Sequence, residues 1–77
     1  MIRYHLKELI AEKEFQEKRR ITVSEIAQET AINRMTLSKM MNHQGSSTVT
    51  DNLDKLCNYF DCEIEKLITH VKDKDVG

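Results

Sequence analysis

The feature that most constrains this chain is the scarcity of residues that interrupt regular structure. There is no proline among its 77 residues, and the only glycines are Gly45 and Gly77. Apolar residues recur at helical spacing along nearly the whole length, while strand-like alternation is weak. The chain is therefore expected to be all-α. Its length suits one domain, placed over residues 1–72, with 73–77 as a frayed tail. A domain of this size buries only about 60% of the surface its unfolded chain exposes. The stability margin is then thin, and a partner subunit would add to it.

Five helices are predicted. The first covers residues 2–18, where Ile2, Leu6, Leu9 and Ile10 form an apolar stripe that Phe15 extends. The charged stretch 13–20 reads as a projecting helix end or a loop. The second helix starts at Thr22, which with Glu25 has the spacing of a capping box, and Ile21 and Ile26 flank it as a hydrophobic staple. Val23, Ile26 and Ala27 follow, and the helix is expected to end near Thr30. Asn33 is a suitable N-cap for a third helix over 33–42, with Leu37, Met40 and Met41 turned inward. A polar loop follows over 43–48. The fourth helix is predicted over 50–60, carrying Leu53, Leu56, Cys57 and Phe60 on one face. The fifth, over 63–71, repeats that spacing with Ile64, Leu67, Ile68 and Val71.

The second and third helices are joined only by Thr30-Ala31-Ile32, so they must cross steeply. A small residue is needed where they touch, and Ala27 supplies it. Ile26, Ile32, Leu37 and Met40 then lock the pair. This is the spacing of a helix-turn-helix over residues 22–42. The outer side of its second helix carries Asn33, Arg34, Met35 and Thr36 in the first turn, then Ser38 and Lys39. With its N-terminal end in the major groove of duplex DNA, these side chains would meet base edges. Arg34 suits bidentate pairing with guanine O6 and N7, Lys39 suits a base or a phosphate, and Thr36 or Met35 suits a thymine methyl. Helix N-termini attract phosphates, which makes Thr22 and Ser24 backbone-contact candidates. Asn42, His43, Gln44 and Ser46 are further phosphate donors in the loop.

The stretch ITVSEIAQETAINRMTLSKMMN resembles the helix-turn-helix of the Cro and phage-repressor (Xre) family. The later stretch DNLDKLCNYFDCEIEKLI looks like that family's fourth and fifth helices, above all in its L-D-K-L-C run, short turn and acidic helix. The resemblance implies a five-helix lambda-repressor-like domain whose third helix reads DNA. By motif position it carries base reading onto Asn33, Arg34, Met35, Ser38 and Lys39. Ala31 stands where the family's turn usually has glycine, and the loop after the third helix is nearly uncharged where the family's is basic.

Charge is divided along the chain. Five basic residues against two acidic ones leave +3 over residues 18–50, four against seven leave −3 over 51–77, and residues 1–17 carry −1. The positive part thus lies in the middle of the chain. The run Lys18-Arg19-Arg20 reads as solvated or as a phosphate contact. Cys57 and Cys62 are too few for a disulfide framework and lack metal-ligand spacing, so no metal or cofactor is expected. Cys57 reads as a buried thiol and Cys62 as a helix-corner residue. His5, His43 and His70 are isolated, and neither a nucleophile–base arrangement nor a glycine-rich phosphate loop marks an enzyme. No signal-peptide pattern or long apolar run points to export or to a membrane, so a soluble cytoplasmic protein is expected. The partners expected are double-stranded DNA and a second copy of the chain, with no small-molecule effector evident. The competing reading is a protein-interaction module, such as an antitoxin or anti-repressor, which the near-neutral net charge of −1 suggests.

Overall fold

In the computed structural model, which describes residues 1–72, the chain runs β1 (Ile2–Tyr4), α1 (Leu6–Glu17), α2 (Val23–Thr30), α3 (Arg34–Asn42), α4 (Thr50–Phe60), α5 (Ile64–Leu67) and β2 (Ile68–His70). The tail expected over 73–77 lies outside the described residues. The architecture is helical, as the periodicity implies, with one addition: β1 and β2 pair into a two-stranded antiparallel ribbon.

The ribbon corrects two expectations. The first helix starts at Leu6 instead of residue 2, and α5 ends at Leu67 after four residues instead of running to 71. Ile2 lies opposite His70, Arg3 opposite Thr69, and Tyr4 opposite Ile68. The ladder is extended by His5 N–H donating to the Leu67 carbonyl and Val71 N–H to that of Met1, both at 2.8 Å. Ile-Arg-Tyr and Ile-Thr-His are rich in β-branched and aromatic residues that suit a pleated surface. At three residues each, they are too short for a period of two to be told from one of 3.6.

The other edge of β1 is covered by the loop after α3. The Gln44 side chain mimics a strand: its Oε1 accepts from Tyr4 N–H at 2.7 Å, and its Nε2 donates to the Tyr4 carbonyl at 3.1 Å. Gly45 N–H donates to the Ile2 carbonyl at 3.1 Å. The Tyr4 hydroxyl donates to the Ser46 carbonyl. Gly45 has φ +87°, and a Cβ there would sit 3.0 Å from Cγ of Met1. Conformation therefore requires glycine here, while the exposed Met1 side chain can move aside for a Cβ.

The core consists of Tyr4, Leu6, Ile10, Ile21, Ile26, Ile32, Leu37, Met40, Leu56 and Leu67, drawn from β1, all five helices and the connections flanking α2. Burial at these positions is the main stabilising term. The stripe of α1 stops at Ile10, because Phe15 is 84% exposed, and Ile64 also faces outward. α1 ends where Lys18 takes a left-handed conformation (φ 56°), which turns the basic run back toward α2. At the α4–α5 corner, Asp61 is left-handed (φ 53°) and Cys62 N–H donates to the Cys57 carbonyl at 3.0 Å, closing the helix end. Both thiols are half-buried; burial pushes their pKa values up and keeps them neutral at physiological pH.

Candidate nucleic-acid interface

The two helices of the expected motif are each set by a local cap. The Thr22 hydroxyl accepts from Glu25 N–H at 3.1 Å, as the capping spacing requires. The return half of the box does not form: the Glu25 carboxylate instead binds the Arg19 guanidinium through two hydrogen bonds of 2.8 and 2.6 Å. A bidentate, charge-assisted pair outcompetes one bond to a neutral N–H. Arg19 also bonds Glu17 at 2.9 Å, so α2 is tied to the end of α1. In turn, the Glu14 carboxylate accepts from Ile21 N–H at 2.9 Å. Arg19 holds the Glu25 carboxyl below the usual carboxylate range, and the two carboxylates raise the pKa of the guanidinium.

The turn between α2 and α3 turns on Thr30 and Ala31. Thr30 is buried, and its hydroxyl donates to the Ile26 carbonyl at 2.7 Å and accepts from Ile32 N–H at 3.3 Å. Both of its roles are met inside the motif, which is why a polar residue is tolerated at this buried position. Ala31 is left-handed at φ 61°, the conformation for which glycine is usual. Ile32 is buried at once after it, and Asn33 starts α3 by accepting from Met35 N–H at 2.7 Å through its side chain.

α3 then divides cleanly between core and solvent. Leu37 and Met40 are each 1% exposed. Asn33, Arg34, Met35, Ser38 and Lys39 are exposed, and Thr36 is half-buried. Thus the six base-reading candidates lie on or beside one outward face. Neither Arg34 nor Lys39 forms an ion pair among the described residues. Ser38 accepts from the Asn42 side chain at 3.3 Å, one turn further along.

The phosphate candidates separate into two groups. Thr22 and Ser24 are exposed at the start of α2, next to the helix N–H groups that have no intrahelical acceptor. Asn42 and His43 are exposed at the end of α3. Gln44 is held against Tyr4, and Ser46 is half-buried with its hydroxyl enclosed. The last two residues therefore fasten the loop to β1.

One residue at this surface was not among the expected contacts. Val23, the first residue of α2, borders an open cleft of about 470 Å³ together with Arg34, Met35 and Ser38. In sequence it reads as a core residue three before Ile26. The convergence of the two helix N-termini brings it beside Arg34 and Met35.

The profile of the Cro/C1-type HTH DNA-binding domain matches residues 5–73. The chain belongs to that family. Comparison with curated proteins and with solved structures gave no match. A Cro/C1-type domain is a DNA-binding regulator module. In this member the expected reading helix, α3, carries Arg34 and Lys39, and neither forms an ion pair among the described residues. Among the described residues no helix is long and apolar enough to cross a membrane, and no three His, Cys, Asp or Glu side chains cluster as metal ligands.

Proposed function

We propose that this protein is a sequence-specific transcription regulator of the repressor type, acting in the cytoplasm as a homodimer on a palindromic operator. α3 lies in the major groove, with Asn33, Arg34, Met35, Thr36, Ser38 and Lys39 toward base edges. Arg34 pairs with a guanine, and Thr22, Ser24, Asn42 and His43 hold phosphates. The observation that carries the reading is the face of α3: an unpaired Arg34 and Lys39 stand on it beside polar side chains, while Leu37 and Met40 anchor the opposite face. Dimerisation is supported by scale. One nine-residue helix gives few contacts, and two copies would set their reading helices about 34 Å apart on one side of the duplex. Without an effector site in the reading, control falls to protein level or to a protein partner.

Selection of bound duplexes from a random library, repeated with Arg34→Ala, tests this. A palindromic site is expected, and the variant relaxes one guanine position per half-site at a cost of about 1–3 kcal/mol. Affinity falls steeply as salt rises, in proportion to the phosphates contacted, and sedimentation shows two copies on the site. Failure to bind any duplex at low salt would favour the protein-interaction module that the near-neutral charge also suits.

A further inference from the structure

We infer that the cleft between the N-terminal ends of α2 and α3 is a seat for the 5-methyl group of a thymine, with Val23 and Met35 as the residues that read it. The inference rests on the proposed placement of α3 in the major groove and adds a specificity element to it. Val23, Arg34, Met35 and Ser38 border the cleft. Met35 is 72% exposed on a face of α3 otherwise made of Asn33, Arg34, Ser38 and Lys39, and a base group seated on it takes its apolar surface out of water. Val23 is half-buried, its inner side packed on the core and its outer side on the cleft.

The chemistry of the groove identifies the occupant. Of the groups that base pairs present in the major groove, the donors and acceptors are polar and cytosine C5 carries only a hydrogen, so the thymine C5-methyl is the one apolar group that projects. An apolar seat on a polar face matches that group alone. Position agrees with chemistry. The C5 side of a pyrimidine faces its own strand's backbone. The cleft lies between a helix start suited to phosphate, with Thr22 and Ser24, and one suited to bases, with Asn33 and Arg34. A methyl seated between a phosphate contact and a base contact occupies that same intermediate place. Arg34 on the rim sets the neighbouring step, so the site is expected to pair a thymine with an adjacent guanine. At about 470 Å³ the cleft is open, with room for a base edge and not only for the methyl it carries.

The test uses the full chain and the duplex obtained by selection. Each thymine of the half-site is replaced in turn by deoxyuridine, which removes the methyl and leaves every hydrogen-bonding group in place. One thymine per half-site is expected to show a loss of about fourfold in affinity, the worth of one buried methyl. In Met35→Ala that penalty shrinks toward onefold, and thymine and deoxyuridine bind alike; Val23→Ala shows the same coupling. Met35 is exposed, so its variant folds even if the Val23 variant does not. No penalty at any thymine overturns the assignment, as does a penalty that persists unchanged in Met35→Ala. Either result leaves a bound, selected site and so spares the DNA-reading proposal. Failure to select any site overturns both.

Discussion

The helix-turn-helix over residues 22–42 and the ribbon end of the molecule are built on different principles. In the first, each step is settled by neighbours: Thr22 caps α2, Thr30 satisfies the turn, Asn33 caps α3, and Ile26, Ile32 and Leu37 close the seam. In the second, β1 exists only because β2 lies across from it some 66 residues later, and because Gln44 and Gly45 cover the opposite edge. Local rules give the reading surface, and long-range closure holds the loop at its end. The two meet at Tyr4, which is buried in the shared core while its backbone and hydroxyl fasten the loop that leaves α3.

If the two regions form one cooperative unit, damage to the seam must melt the ribbon as well. Leu37→Ala removes a side chain that is 1% exposed, at a cost of about 2–5 kcal/mol. In a domain this small that is enough to unfold much of the population at 37 °C. Urea melts followed by circular dichroism give the loss. Amide exchange at His5 and Val71 should rise together with that at Met40. Protection retained at the ribbon alone would show that the two regions unfold separately.

Gln44→Ala attacks the comparison from the other side. It strips Tyr4 N–H and carbonyl of their side-chain partners at 2.7 and 3.1 Å. Leaving these part-buried groups unsatisfied costs about 1–3 kcal/mol. Faster exchange at Tyr4 is expected, with α2 and α3 intact. The same variant separates the clamp from the phosphate contact first expected of Gln44. If its work is internal, DNA affinity at a temperature where the variant is folded stays close to that of the parent; a steep loss with a reduced salt slope would restore the phosphate role.

The contrast also accounts for what the sequence revealed. The helix-turn-helix was legible because caps, a staple and an alanine seam are short-range signals, and its exposed residues follow from which face Leu37 and Met40 bury. The ribbon was not: Ile2 and Ile68 fit a helical stripe as well as a strand, and nothing local records that their segments meet. Side-chain competition is also invisible to local spacing. Glu25 has capping spacing, yet Arg19 takes its carboxylate. Gln44 and Ser46, expected to contact phosphate, are placed by the loop with one bonded to Tyr4 and the hydroxyl of the other enclosed, an arrangement no local signal records. The place of Val23 on the cleft was not legible, because a half-buried residue lies on two surfaces and periodicity registers only the inner one.

Ala31→Gly sharpens the local half of the comparison. At φ 61° the alanine methyl is strained and glycine is not. The substitution is expected to stabilise by about 1 kcal/mol, read as a higher urea midpoint at unchanged slope. No gain would mean that the unfolded-state freedom of glycine offsets the strain relieved. DNA discrimination should be unaltered, since Ala31 precedes the reading face.

The smallest effect concerns Arg19, the one place among the described residues where a charge pair joins α1 to the motif. Its bonds hold the Glu25 pKa below the ordinary value, so the folded state binds that proton more weakly than the unfolded state. The sign follows from linkage: the contribution is complete above the unfolded glutamate value, about 4.3, and is lost as pH falls through the lower folded value. Both partners are solvent-accessible, at 47% for Arg19 and 30% for Glu25, so screening keeps the effect small. Stability measured from pH 6 down to pH 3 should therefore fall slightly less in Glu25→Gln than in the parent, and added salt should narrow the difference. Thr22 still caps Glu25 N–H in that variant, so α2 keeps its start. A larger acid loss in Glu25→Gln than in the parent would reverse the sign and dissociate Arg19 from the stability of the reading unit.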